Sequence, residues 1–239
     1  MADSAKPGDV LAGSYRLTRL IGRGGMGEVY EAEHVRLPRR FAVKFLLSEA
    51  LREPTVFERF KREAEIASGV GHANIVDVVD FNVTESGQPY MVSELLTGEE
   101  LADRLEREGA LPLDEAFSIL DQTAAALHAT HERGVVHRDL KPQNIFLVRR
   151  DEQDHFVKVL DFGISKLVDS TSMATRTGMV FGTLNYMSPE QANGLVHEID
   201  ARTDVFALGA IAYEVLTGQR AFDAATPAAI LNRLCHQEP

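Results

Sequence analysis

The feature that most narrows the folds open to this 239-residue chain is a change of hydrophobic period near Thr97-Gly98. Before it, apolar residues alternate or run in short extended stretches: Tyr15 to Thr18, Val29 to His34, Phe41 to Leu46, Val76 to Phe81 and Tyr90 to Ser93. Such segments, broken by Gly- and Pro-containing turns, predict strands. One helix interrupts them, because Phe57, Phe60, Ala64 and Ala67 recur at three- and four-residue steps with charged residues between. Beyond Gly98 the period becomes helical over Leu101–Glu108, Leu113–Arg133 and Thr203–Leu216. The second of these opens with Asp114 and Glu115, acids in a first turn where the helix dipole favours them. A strand-rich third followed by a helical remainder predicts a bilobal α+β fold. Residues 14–97 form the small β-rich lobe with one main helix, and 98–239 form the larger helical lobe, with a hinge near Glu94–Gly98. Residues 1–13 read as a frayed polar tail, Arg149 to His155 as a hairpin tip and Val157 to Leu160 as a short strand.

Composition removes several functional classes. With 25 basic and 36 acidic side chains the formal net charge is −11, which would repel a polyanion and argues against a nucleic-acid partner. The lone cysteine, Cys235, excludes an internal disulfide or a cysteine-built zinc cage and fits a reducing, cytoplasmic setting. The opening MADSAKPGDV lacks a signal-peptide apolar core. The longest candidate membrane stretch, Val205 to Leu216, contains Glu214 and is too short to span a bilayer.

Gly22-Arg23-Gly24-Gly25-Met26-Gly27-Glu28-Val29 fits GxGxxGxV. Glycines let backbone N–H groups approach phosphate oxygens closely. Taken alone, the segment suits a plain turn, a dinucleotide-binding fold or a phosphate-covering loop between two strands. A dinucleotide fingerprint must open a helix, whereas Val29 to Glu33 followed by Pro38 reads as strand and turn, so the strand–loop–strand reading stands.

Four further motifs follow in order. Phe41-Ala42-Val43-Lys44 ends an apolar strand on a lysine; His137-Arg138-Asp139-Leu140-Lys141-Pro142-Gln143-Asn144 matches H-R-D-L-x-x-x-N; Asp161-Phe162-Gly163 follows a short strand; and Ser188-Pro189-Glu190 stands where A-P-E is expected. From about Tyr15 to its last residue the chain resembles the eukaryotic-like (Hanks-type) serine/threonine protein kinases, particularly their bacterial branch. The resemblance implies ATP and Mg2+, or Mn2+, as cofactors, and protein substrates with Ser or Thr acceptors. It implies that Lys44 holds the α- and β-phosphates, oriented by an acid on the helix at 57–68. Glu63 is preferred over Glu65, which lies about 200° away around the helix. Asn144 and Asp161 resemble magnesium ligands, Asp139 the group that takes or orients the acceptor's proton, and Lys141 the group that steadies the γ-phosphate. By the same resemblance, Ile21, Gly22, Gly24 and Gly27 would belong to the phosphate loop, Val29 and Ala42 would form the roof of an adenine slot, and Phe146 and Leu160 its floor. The backbone of Glu94 and Leu96 would meet the base edge, and Ser93 would stand at the gatekeeper position.

The same resemblance frames regulation. Arg138 ahead of Asp139 is a cation awaiting a phosphate on the activation segment 161–190, and Thr175 and Thr177 are the expected phosphosites, with a homodimer as the arrangement for autophosphorylation. Thr183 is expected to contact Asp139 and Lys141, and Asp204 to bind the backbone of the His137-Arg138-Asp139 turn. The chain departs from the family by stopping at Pro239, short of its last helices, one of which supplies an arginine for the carboxylate at Glu190. Neither Arg220 nor Arg233 lies in the expected motif, so Glu190 is expected to be a buried acid without its partner. A non-catalytic kinase-like scaffold is the alternative reading, and a small-molecule phosphotransferase ranks last because it leaves the activation segment unexplained. The longer Asn144-to-Asp161 connection and Ser188 in place of alanine touch no catalytic group.

Overall fold

Strand formation begins earlier than the sequence pattern predicts. In the computed structural model, which describes residues 5–24, 27–47, 54–150, 153–161 and 181–237, β1 (Val10–Leu11) pairs antiparallel with β2 (Tyr15–Arg23). The expectation of a frayed tail over 1–13 is therefore corrected for its described part. Leu11 is buried, and its burial with two backbone bonds between Asp9 or Gly8 and Leu17 holds the segment down.

β2 continues through β3 (Gly27–His34), β4 (Arg40–Leu46), β5 (Val78–Val83) and β6 (Pro89–Glu94) into a six-stranded sheet of order β1-β2-β3-β4-β6-β5. Its two faces divide the labour. Leu17, Tyr30, Ala32, Phe41, Val43, Phe45, Tyr90 and Val92 build a closed core on one face. On the other, α1 (Pro54–Val70) lays Phe60, Ala64 and Ala67 against Leu46, Val78 and Met91. The observed helix extends the predicted 57–68 by a turn or less at each end. Cross-strand pairing of Val29 with Lys44 and of Ala42 with Ser93 puts all four residues on the helix-bearing face.

The chain divides into two compact units, the first comprising Met1–Gly71 and Val76–Thr97, the second His72–Ile75 and Gly98–Pro239. The second is not purely helical, as the period change alone would have it. A three-stranded sheet of β7 (Gly98–Glu100), β8 (Ile145–Arg150) and β9 (Gln153–Val159) stands among its helices. Gly98 is required there, because a Cβ would lie 1.9 Å from the carbonyl oxygen of Leu147. The helices are α2 (Leu101–Glu108), α3 (Leu113–His131), the single turn α4 (Pro189–Ala192), α5 (Ala201–Thr217) and α6 (Pro227–His236). Residues 72–75 are drawn into this unit by side-chain amides. Asn74 donates to Gln122 on α3 at 3.0 Å and to the Val157 carbonyl at 2.9 Å, while Gln122 accepts the Val157 N–H at 2.9 Å.

Candidate active site

In the first unit, β4 presents Lys44 between the buried Val43 and Phe45, and its Nζ lies 3.2 Å from Glu63 Oε1 on α1. The two side chains are 24% and 17% exposed, so the pair is partly desolvated and each charge is costly without the other. At an effective dielectric of 20 two charges near 4 Å attract by about 4 kcal/mol before desolvation. Glu65 turns away and sits 3.8 Å from Lys61. Where β2 gives way to β3, the Gly24 N–H donates to the Gly27 carbonyl at 2.9 Å. Gly27 has no room for a side chain, since a Cβ would stand 2.4 Å from the Phe45 carbonyl oxygen. Ile21 is exposed on β2, Gly22 pairs with Val29, and Ser93 and Glu94 close β6 with Leu96 half-buried beyond.

The second unit concentrates its polar groups on one loop. Lys141 Nζ donates to Asp139 Oδ2 at 2.9 Å, and the Asn144 carboxamide nitrogen donates to the Asp139 carbonyl at 2.8 Å. The loop is pinned from beneath by Asp204 on α5, which is fully buried and accepts the His137 N–H at 2.8 Å, the Arg138 N–H at 2.8 Å and a contact from His131 Nε2 at 2.7 Å. From the other side Gln191 Nε2 donates to the Arg138 carbonyl at 2.7 Å. These bonds hold Arg138 at φ +67°, and Asp161 sits at φ +43°. Non-glycine residues avoid such conformations at a cost of about 1–3 kcal/mol each, and they concentrate at functional sites. Burial pushes the His137 imidazole below its usual range, so the ring is neutral. Its Nδ1 accepts from the Asp139 N–H at 3.3 Å and its Nε2 donates to the Leu160 carbonyl at 3.1 Å, which ties the loop to the residue before Asp161.

Gln191 went unnoticed in the sequence, although Ser188-x-x-Gln191 is a readable capping box. The Ser188 N–H donates to Gln191 Oε1 at 3.1 Å, and the same glutamine reaches the loop. Glu100 was also missed. It ends β7 opposite Phe146, and burial, then the charges of Asp103 and Asp161, push its carboxyl up. The expectation that Glu190 is an unpartnered buried acid is corrected: it is half-buried and Thr203 Oγ1 donates to it. Burial would raise its pKa, but hydrogen bonds from Thr203, its own backbone and Ser188 prevail and lower it. Arg220 engages Glu214 at 3.6 Å and Arg233 the Asp223 carbonyl at 2.6 Å. Thr175, Thr177, Phe162 and Gly163 lie outside the described residues, as does the side chain of Thr183.

The donor set suits a hard divalent cation. Asn144, with its amide nitrogen committed to Asp139, presents oxygen for ligation; the Leu160 N–H bonds the Asn144 carbonyl at 2.8 Å and so places Asp161 next to it in the fold. Among the described residues no group of three or more His, Cys, Asp or Glu could hold a metal by itself. An ion that completes its shell with water and phosphate needs only one or two such ligands.

A profile of the family described as protein kinase domain matches residues 15–238. The chain belongs to the protein kinase family. This kinase domain is 46% identical over 214 residues, 90% of its length, to the serine/threonine-protein kinase Pkn1 of Myxococcus xanthus, of which it covers 30%. It is 44% identical to the serine/threonine-protein kinase PknA of Mycobacterium tuberculosis, over 92% of this chain and 50% of that protein. With PknB of Mycobacterium leprae it shares 38% identity over 96% of its own length and 36% of the relative's. The kinase domain thus spans between 30% and 50% of the length of these curated relatives. Among its described residues no helix is long and apolar enough to cross a membrane.

Proposed function

We propose that this kinase domain transfers the γ-phosphate of ATP to Ser or Thr hydroxyls of protein substrates. The observation that carries the reading is the Asp139–Lys141 contact of 2.9 Å on a loop whose backbone is fixed by Asp204 and Gln191. Phosphoryl transfer passes through a loose transition state, so a protein accelerates it mainly by positioning and by offsetting charge. Asp139, with the Lys141 ammonium 2.9 Å away, accepts or orients the proton of the acceptor hydroxyl. Lys141 neutralises charge on the transferring group. Lys44, held by Glu63, binds the α- and β-phosphates, while the Gly22–Gly27 hairpin offers backbone N–H groups to them. Asn144 and Asp161 would hold Mg2+, or Mn2+, which would supply positive charge to offset that of the phosphates. Val29, Ala42, Phe146 and Leu160 supply apolar surface to the adenine, and the backbone of Glu94 and Leu96 its edge contacts.

Regulation by phosphorylation of Thr175 and Thr177, paired with Arg138 and carried out within a homodimer, belongs to the same proposal. So do a contact of Thr183 with Asp139 and Lys141 and a cytoplasmic setting for these residues. Relatives named serine/threonine-protein kinases support the acceptor class. The test is single-turnover transfer from Mg-ATP to a generic basic protein. The parent transfers phosphate, whereas Asp139→Asn loses transfer by at least 10³-fold while binding Mg-ATP within about threefold of the parent. Equal rates for the two would refute the assignment.

A further inference from the structure

On the sheet face opposite Lys44, a chain of contacts runs from the first described residue to the mouth of the glycine hairpin. The Tyr30 hydroxyl lies 2.8 Å from the Ala5 carbonyl oxygen and 3.1 Å from Glu28 Oε2. Its single proton is shared between these two acceptors. The other carboxylate oxygen of Glu28 takes the Arg23 guanidinium, with Nε at 2.7 Å and a second contact from NH2. Arg23 and Glu28 are directly opposed in the β2–β3 register, and Gly24 and Gly27 close the hairpin immediately beyond them. Glu28 is a carboxylate only 5% exposed and Tyr30 a phenol only 6% exposed. Buried groups of this kind are costly unless their partners are held in place.

What holds Tyr30 is the N-terminal segment. Ala5 packs against the core cluster that contains Leu11 and Tyr30. The Gly8 N–H donates to the Leu17 carbonyl at 2.8 Å, the Leu17 N–H returns to Asp9 at 2.9 Å, and Lys6 N–H to Asp9 Oδ2 at 3.0 Å makes the segment turn rather than trail.

We infer that residues 5–11 form a strap that positions the glycine hairpin through Tyr30, Glu28 and Arg23, so that Tyr30 is a positioning residue for nucleotide binding. The nucleotide part of this inference rests on the ATP-binding reading of Gly22, Gly24 and Gly27. The strap secures the outer face of the hairpin, and the Arg23–Glu28 pair fixes the spacing of its two arms where the glycines alone would leave it loose.

The test compares the full chain with Tyr30→Phe, which removes only the hydroxyl, and with Leu11→Ala, which loosens the strap while keeping the hydroxyl of Tyr30 and the carboxylate of Glu28. Amide hydrogen exchange at Arg23, Gly24 and Gly27, without nucleotide, should quicken at least fivefold in both variants, while exchange in α1 stays within twofold. With Mg-ATP, KM should rise about tenfold and kcat change less than twofold. The double variant Tyr30→Phe/Glu28→Gln should be no worse than its more severe single parent, because both break one chain. Unchanged exchange at the hairpin in Tyr30→Phe overturns the strap. So does faster exchange spread evenly over the sheet, which marks plain loss of stability. A parent that binds no Mg-ATP sinks the ATP-binding reading and, with it, the role of Tyr30 in nucleotide binding, whereas the exchange result still decides whether the strap orders the hairpin.

Discussion

Asp204 accepts the backbone N–H of Arg138 at 2.8 Å and thereby stabilises a residue whose φ of +67° an arginine would otherwise avoid. The carboxylate has two oxygens, and both are used: Oδ1 for Arg138, Oδ2 for His137 and His131. An amide presents only one acceptor. Asp204→Asn is therefore expected to cost about 2–3 kcal/mol in denaturant unfolding and to lower kcat, while Asp204→Ala costs more because two buried N–H groups lose their partner. An unchanged unfolding midpoint would remove Asp204 from this role.

Glu63 and Glu65 make a matched pair of controls. Glu63→Gln breaks the 3.2 Å contact to Lys44 and is expected to lower kcat/KM about 10²-fold, or roughly 2.7 kcal/mol of transition-state stabilisation. Glu65→Gln, altering an exposed contact to Lys61, should stay within about twofold. Steady-state kinetics in Mg-ATP decides between them.

Acid should loosen the junction of β7 and α2 in a defined window. Hydrogen bonding to Arg107 holds the Glu99 carboxyl at about 2, against burial and with help from Arg104. A depressed folded-state value means the contribution is complete above the ordinary glutamate pKa of about 4.5 and is lost as pH falls towards 2. The stability gap between the parent and Glu99→Gln, read from urea midpoints, should be widest above pH 5 and close progressively below about pH 4.5. A gap that stays constant to pH 3 contradicts this.

Ser93, half-buried on β6 opposite Ala42, carries a small side chain where Met would be bulkier. ATP-competitive inhibitors with bulky substituents should bind the parent and lose at least tenfold in affinity at Ser93→Met, as measured by competition binding. Equal affinity would argue against Ser93 as gatekeeper.

Intact-mass analysis of active protein should find added phosphate that disappears in Thr175→Ala/Thr177→Ala. Activity of the doubly substituted chain should fall with it, and Arg138→Ala should make the remaining activity insensitive to phosphatase treatment.

What the sequence made legible was whatever local periodicity or a short motif records. The spacing of Phe60, Ala64 and Ala67 defines the buried face of α1, with half-buried Phe57 against Phe81, and a residue one step from that face, Glu63, meets Lys44. The His137–Asn144 run carries its own turn geometry. What was not legible depends on contacts between distant residues. Gln191 bonds a carbonyl 53 residues away, and Asn74 bonds Gln122 48 residues away; no window of neighbouring residues signals either. The N-terminal segment was misread for a similar reason. Its polar composition suits solvent, but Leu11 and two backbone bonds to Leu17 outweigh it.

The allegiance of residues 72–75 bears on how this molecule can be taken apart. Because a stretch of four residues from the middle of the strand-rich half is stitched to α3 and β9, severing the polypeptide after Thr97 would not yield two self-sufficient pieces. The upstream fragment would carry Asn74 and Ile75 stripped of their neighbours, and the downstream one would keep Gln122 and the buried amine of Lys158 with the carbonyl of Ile75 gone. Reconstitution from fragments should therefore succeed only when both halves are present together from the start of refolding.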